Sequence, residues 1–266
     1  MHSSTAFRGR VLAEAEDNNL DGERWSSRWD RWYTCSLCEQ QYHGVVMCAL
    51  GWACWKTYLG RPETDWARRL AMSVIGLGLD AAGHHEDALS VQEAELAMKR
   101  RLGASEDSIL AVQANLANTY QELGRPEEAL LMRREVYSER LKLDGGEDES
   151  TLLAANNYAW NLEDLNRHKE AKALAHKSIP VARRILGASH LTTIRLRWIY
   201  ARSLYLNDGA TLDDLREAVT TLEELERITR RVFGGAYPIT VEIKDDLRDA
   251  RAVLRLDLRL NNEDSV

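Results

Sequence analysis

Four residues in one short stretch of the chain have side chains of the types that hold zinc in small protein modules. Cys35, Cys38, His43 and Cys48 follow one another with two, four and four intervening residues. Zinc takes four soft or borderline ligands in a tetrahedron, and a Cys-x2-Cys turn supplies two thiolates. The spacing therefore predicts one structural zinc ion, with Cys54 as the replacement ligand if His43 is not used.

The residues around these ligands leave a metal-free alternative open. The spacing resembles that of a CCHC zinc knuckle, but such knuckles carry glycines where this chain has Glu39 and Tyr42. All four cysteines and six of the eight tryptophans lie within residues 25–66. In the alternative, the cysteines stay reduced and pack as small apolar side chains in a tryptophan-rich cap.

A second pattern, a helix-hairpin signature, recurs in the rest of the chain. Its repeats read Leu116-Ala117-x-x-Tyr120, Tyr158-Ala159-x-x-Leu162 and Tyr200-Ala201-x-x-Leu204. An alanine after each hairpin turn recurs at intervals of 41, 42 and 47 residues, at Ala88, Ala129, Ala171 and Ala218. A two-helix unit repeated at such a period predicts a solenoid of stacked helix pairs.

Apolar i, i+3, i+4 spacing between the turn signals places the helices. It predicts first helices at 65–82, 107–123, 149–165 and 190–207, and second helices at 85–102, 126–143, 168–186 and 211–233. A last helix at 238–260 would cap the stack. A helix from Cys48 to Tyr58 would precede the first repeat. Pro180 lies inside a second helix, where the missing N–H is expected to kink or break it.

Bulk properties limit the classes of partner and the cellular location. The net charge of −7 and the pI of about 5.6 argue against nucleic acid and anionic membranes as partners, because the field of the protein repels phosphate. The longest apolar run, residues 45–55, is too short to span a bilayer, and residues 1–20 show no secretory signal. A cytoplasmic protein is expected, with a disordered tail (1–24), a Cys/Trp-rich zinc module (25–62) and a helical repeat domain (63–266).

The repeats resemble the tetratricopeptide repeat (TPR) in the 42-residue form found in kinesin light chains. The resemblance rests on Asn115-Leu116-Ala117-x-x-Tyr120, Leu123-Gly124-Arg125-x-x-Glu128-Ala129 and Leu186-Gly187-x-x-His190-x-x-Thr193. It implies an all-α fold: a right-handed superhelix of about four helix pairs plus a C-terminal capping helix. It also implies a concave groove, lined by the first helices, that holds an extended peptide.

Carrying the groove positions of that family onto this chain gives nine candidate partner-binding residues. They are Asn115, Asn118, Gln121, Asn156, Asn157, Trp160, Arg195, Trp198 and Arg202. Side-chain amides can satisfy the backbone of an extended peptide, arginines can pair with carboxylates, and tryptophans can serve as flat anchors. An acidic or aromatic-containing peptide is therefore favoured. In the alternative, these residues hydrogen-bond and pack only between helices of the protein itself.

The sequence contains no phosphate-binding glycine loop, no Ser/His/Asp arrangement and no His-x-x-x-His motif. We therefore predict a non-enzymatic scaffold that binds a protein or peptide in the groove. The alternative function is a zinc-finger adaptor, in which the cysteine module binds nucleic acid or another protein while the repeats recruit a client.

Overall fold

The computed structural model describes residues 29–35 and 37–263, and regular structure there is almost entirely helical. A short 3-10 helix, Asp30–Trp32, and one antiparallel bridge between Thr34 and Gln41 come first. The α-helices that follow are α1 (Gly44–Tyr58), α2 (Trp66–Ala81), α3 (His85–Arg101), α4 (Glu106–Glu122), α5 (Pro126–Leu143), α6 (Glu149–Asp164), α7 (His168–Ile185), α8 (Leu191–Tyr205), α9 (Leu212–Val232) and α10 (Pro238–Glu263).

The helix ends follow from local chemistry in the sequence. Asp65, Asp148 and Thr211 cap α2, α6 and α9, because each side chain accepts a hydrogen bond from a backbone N–H of the first turn. The turns inside the helix pairs need a left-handed residue, which is Gly124 (φ 69°) before α5 and Asn166 (φ 57°) before α7. These punctuating residues explain why the predicted helix bounds agree with the observed ones to within a few residues.

The chain divides into two compact units, residues 1–132 and 133–266, and the division lies within α5. In the first unit α1 packs along α2, α2 along α3, and α3 along α4. A buried aromatic cluster fills the space between the 3-10 helix, α1 and α2. Its members include Trp29, Trp32, Met47, Leu50, Cys54, Tyr58 and Val74.

In the second unit each helix from α6 to α10 packs against the next one, and α8 also contacts α6 and α10. The main core joins α8, α9 and α10 through Ile194, Leu204, Leu222, Leu225 and Ile243, all of them almost fully buried. The N-terminal half of α8 packs with α6 and α7 through Leu152, Ala182 and Leu196.

The predicted all-α fold of four helix pairs and a final helix is confirmed. The sequence predicted a kink or a break at Pro180; a break is wrong, since α7 runs through it from His168 to Ile185, and a kink stays a prediction. The proline lacks the N–H that would donate to the carbonyl of His176, and both Pro180 and His176 are exposed. The predicted tail, residues 1–24, lies outside the described residues, and the separate module at 25–62 stays a prediction.

Candidate functional site

A pocket of about 350 Å³ opens in the second unit between the first helices of two successive pairs and the start of the last helix. It lies within the size range of ligand pockets. Its walls come from α5, α6, α8 and α10 and from Tyr237, the residue that precedes α10. The lining residues are Arg133, Asn156, Asn157, Trp160, Leu191, Arg195, Trp198, Tyr237, Pro238, Ile239 and Glu242.

Two tryptophans form the apolar part of this pocket. The rings of Trp160 on α6 and Trp198 on α8 meet edge to face, with centroids 5.0 Å apart and an interplanar angle of 61°. Trp198 is only 3% exposed, and its indole N–H donates to Asp246 at 2.5 Å. Trp198 is therefore a fixed wall, whereas the half-buried Trp160 presents ring surface to the pocket.

Two neighbouring asparagines on α6 supply the amide groups of the pocket. The Nδ2 of Asn156 donates to the Oδ1 of Asn157 at 3.1 Å, which fixes both side chains. Asn156 is 3% exposed, and its own Oδ1 is buried without a hydrogen-bond partner among the described residues. This oxygen has almost no accessible surface, so a ligand does not reach it without a shift of the side chain; the half-buried Asn157 is the amide open to the pocket.

Two arginines place positive charge at the pocket. Arg133 donates to the backbone carbonyl of Asn157 at 3.4 Å, and burial lowers the pKa of its guanidinium while the charge of Asp164 opposes that shift. Arg195 on α8 is exposed. Glu242 on α10 is the carboxylate among the lining residues. The pocket thus carries more positive than negative charge, in a protein whose net charge is negative.

Arg202, another predicted groove residue, is engaged inside the protein. Its Nη1 lies 3.0 Å from Asp246 on α10, and its Nε lies 3.8 Å from Glu163 on α6. Asp246 also accepts hydrogen bonds from Trp198 and from the hydroxyl of Tyr205, the latter at 2.6 Å. These contacts hold three helices together, and contact of Arg202 with a ligand stays a prediction.

The second carboxylate of this network is Glu163, which is 3% exposed. Ser203 donates to it at 2.8 Å, and the Nδ1 of His168 lies 3.0 Å from its Oε1. Burial raises the pKa of Glu163, whereas the hydrogen bond from Ser203 and the charges of His168 and Arg202 oppose the rise. The network is a structural support behind the pocket.

The remaining predicted groove residues lie in the first unit. Asn115, Asn118 and Gln121 are all on α4, where Asn118 is exposed and the other two are half-buried. The neighbouring Thr119 is fully buried and donates to Gln92 at 2.9 Å. The partner-binding role of the three α4 amides stays a prediction.

The predicted zinc ligands are divided in the structure. Cys35 and Cys38 lie together in a hairpin, while Cys48 packs against Ile75 and Leu79 of α2. His43 is the exposed residue preceding α1. Within residues 29–35 and 37–263, no three or more His, Cys, Asp or Glu side chains are grouped so that they could hold a metal ion. One structural zinc within the chain, and with it the zinc-finger adaptor, stays a prediction.

The thiols differ in chemistry according to their surroundings. Hydrogen bonds from the backbone N–H groups of Leu37 and Cys38, together with the Cys38 thiol, lower the pKa of Cys35 to about 7. Burial raises the pKa of Cys48 and, more strongly, that of Cys54 in the aromatic core. Because metals bind thiolates, Cys35 is the better prepared ligand, and Cys54 behaves as a small apolar core residue.

Several pocket residues were missed by reasoning from the sequence. Arg133 comes from a second helix, and Tyr237, Pro238 and Glu242 come from the start of the helix that was expected only to cap the stack. Pro238 is typical of the first position of a helix, but the sequence there does not indicate which surface that helix start meets. These residues join the pocket through packing between helices distant in sequence.

Comparisons with known proteins agree with this architecture. Residues 108–184 match the family model described as tetratricopeptide repeat, so the chain carries this repeat there. No curated protein matches the chain. No helix in the described part of the chain combines the length and apolar character that crossing a bilayer requires.

Two solved structures show a similar fold. One contains the nearly identical TPR-like repeats of a protein assigned as a kinesin light chain from Podospora anserina. It is 18% identical to this chain with a TM-score of 0.56, and the match covers 87% of this chain and 97% of that one. The other is BtubC (BKLC) from P. vanneervenii, at 15% identity and a TM-score of 0.54, covering 75% of this chain and 82% of that one. The chain therefore has a kinesin light chain-like TPR fold.

Proposed function

We propose that this protein is a non-enzymatic scaffold whose pocket between α6, α8 and α10 binds a peptide segment of a partner protein. The observation that carries the proposal is that residues predicted separately from the sequence lie together in the structure. Five residues predicted from sequence, Asn156, Asn157, Trp160, Arg195 and Trp198, line one pocket of about 350 Å³. The TPR fold supports the proposal, because stacked helix pairs present extended surfaces that bind other proteins.

The amide groups define how a peptide backbone would be held. Asn157 is half-buried and lines the pocket, and its side-chain amide N–H would donate to a peptide carbonyl. The hydrogen bond from Asn156 to Asn157 keeps the Asn157 amide oriented before the ligand arrives. Such preorganisation lowers the entropic cost of binding.

The charges and rings define the side chains that a ligand would carry. Arg195 is exposed and can turn toward a carboxylate, and Arg133 adds a second positive charge to the same pocket. The exposed Arg195 can pair with an acidic side chain in a bidentate manner. Beside them, the exposed ring surface of Trp160 can pack against an apolar or aromatic side chain. The preferred ligand is an acidic peptide with an aromatic residue.

The proposal can be tested with a displayed peptide library selected on the full chain. We expect enrichment of acidic peptides with an aromatic residue. Arg195→Glu and Trp160→Ala should each raise the Kd for an enriched peptide about tenfold, which corresponds to about 1.4 kcal/mol of binding free energy. Arg183→Glu, an equal charge reversal at an exposed position on α7, serves as the control and should leave binding unchanged. Failure to enrich any peptide, or equal binding by all variants, would refute the proposal.

A further inference from the structure

The hairpin before α1 presents two thiols at its tip. Thr34 and Gln41 pair across it, the N–H of Cys35 donates to the carbonyl of Gln40 at 2.8 Å, and the N–H of Glu39 donates to the carbonyl of Cys35 at 2.8 Å. Glu39 adopts a left-handed conformation with φ of 56°, at the position where zinc knuckles have glycine. The backbone therefore makes the tight reversal that brings Cys35 and Cys38 side by side.

The hydrogen bonds around Cys35 suit a metal ligand. Its sulfur accepts from the backbone N–H groups of Leu37 and Cys38, from the Cys38 thiol and from the Tyr42 hydroxyl. Donors directed at a sulfur support the negative charge that a metal-bound thiolate carries, and they fix its orientation. Two adjacent sulfurs in this arrangement form half of a tetrahedral thiolate site.

The other half of such a site does not come from the described part of this chain. Cys48 is packed against α2, Cys54 is in the aromatic core, and no third His, Cys, Asp or Glu joins the two tip cysteines among the described residues. The tip points into solvent, because Cys38 is exposed and Leu37 between the two thiols is 93% exposed. Covering a large apolar side chain that is so exposed with another surface is favourable, because it removes apolar area from water.

We propose that a zinc ion binds between the hairpin tips of two copies of this chain, each copy supplying Cys35 and Cys38. Four thiolates complete the tetrahedron that zinc prefers. The arrangement is two-fold symmetric, so each tip meets the same tip of its partner and the two Leu37 side chains cover one another. Binding is redox-neutral: one Zn²⁺ is bound and four thiol protons pass to solvent. This inference does not depend on the peptide pocket.

The test uses the full chain, reduced and metal-free, titrated with zinc. Light scattering on a sizing column gives the mass, and elemental analysis of the peak gives the zinc content. We expect a dimer with one zinc ion per two chains, reversed by a chelator. Co²⁺ in place of zinc should give the visible absorption of tetrahedral thiolate coordination.

The variants separate a shared site from a site within one chain. Cys35→Ser and Cys38→Ser should each abolish both zinc retention and the dimer, with unchanged helical circular dichroism because the tip is exposed. Cys48→Ser is the matched control, and this variant should retain zinc and remain a dimer. A monomer with one zinc that Cys48→Ser or His43→Ala removes would overturn the proposal in favour of a CCHC site within one chain. Loss of all zinc on desalting, or a dimer indifferent to zinc, would overturn it as well.

Discussion

Gly78 on α2 lies directly against the backbone of Met47 on α1. A methyl group in place of its α-hydrogen would be 2.8 Å from the Met47 carbonyl oxygen and 3.0 Å from the Cα of Cys48. Gly51 makes the reciprocal approach, since a Cβ there would be 2.9 Å from the carbonyl oxygen of Val74. The two glycines let α1 and α2 pack backbone to backbone, which explains a glycine inside each of these helices despite its low helix propensity.

Gly78→Ala should therefore destabilise the protein, although alanine is the better helix former. The added methyl group meets rigid backbone, so the helices must separate, at a cost of about 1–3 kcal/mol. Chemical denaturation monitored by circular dichroism measures the difference. The control is Gly60→Ala, where nothing lies within 4 Å of the new methyl group. Equal stability of the two variants would contradict the close packing of α1 on α2.

Asp246→Asn should be strongly destabilising. The carboxylate accepts from Trp198, Arg202 and Tyr205, and its loss leaves two buried donors and the partly buried guanidinium without this ionised acceptor. Buried donors left without an acceptor cost about 1–3 kcal/mol, and the expected loss is about 2 kcal/mol because Arg202 is 28% exposed. Asp245→Asn is the neighbouring control, because Asp245 is exposed and pairs with Arg248 at the surface. A similar loss of unfolding free energy in both variants would refute the structural role of Asp246.

The ion pair between Lys172 and Asp214, at 2.7 Å, predicts a pH dependence. Hydrogen bonds from Lys172 and Thr211 lower the pKa of Asp214 from 3.8 to about 2. A lowered pKa stabilises the fold above the pKa of the unfolded chain, about 3.9, and this contribution disappears as the pH falls toward 2.

Asp214→Asn should thus reduce the free energy of unfolding at pH 7 by less than about 1 kcal/mol, because the pair is partly solvated. The difference from the unmodified protein should shrink between pH 4 and pH 2. Carboxyl chemical shifts in an NMR titration follow the pKa directly, and Lys172→Met should return it toward 3.8. Asp213→Asn, at a side chain 91% exposed, is the control. An Asp214 pKa unaffected by Lys172→Met would exclude the ion pair as its cause.

Substitutions of Asn166 test whether the turn between α6 and α7 needs a residue that tolerates the left-handed conformation. The φ of 57° at Asn166 suits asparagine and glycine but strains other residues. Asn166→Ala should lower the free energy of unfolding by about 1 kcal/mol, while Asn166→Gly should be close to neutral. Thermal unfolding of the two variants side by side makes the comparison. An alanine variant as stable as the glycine variant would show that the left-handed turn is not needed.

Much of the fold was predictable because its signals are local. Helix starts follow capping residues such as Asp148 and Thr211, and helix pairs turn at Gly124 or Asn166. The pocket was predictable in part for the same reason: the spacing of Asn156, Asn157 and Trp160 along one helix puts them near one another, and α8 lies beside α6.

The rest depends on contacts between residues distant in sequence. Nothing near Arg202 indicates that Asp246, from the last helix, occupies its guanidinium. The cysteine spacing likewise could not show that Cys48 packs against Ile75 instead of approaching Cys35. In both cases a residue type suited to ligand binding meets a partner from another helix, and only the packing of those helices determines which partner it has.

The position of Arg202 between Glu163 and Asp246 bears on how the second unit comes apart on heating. Where each repeat touches only its neighbours, a terminal helix can fray alone. Here, fraying of α10 would withdraw Asp246 from Arg202, Trp198 and Tyr205 at once, and α8 would be left with desolvated donors. We therefore expect the melting of α10 to be coupled to that of α8.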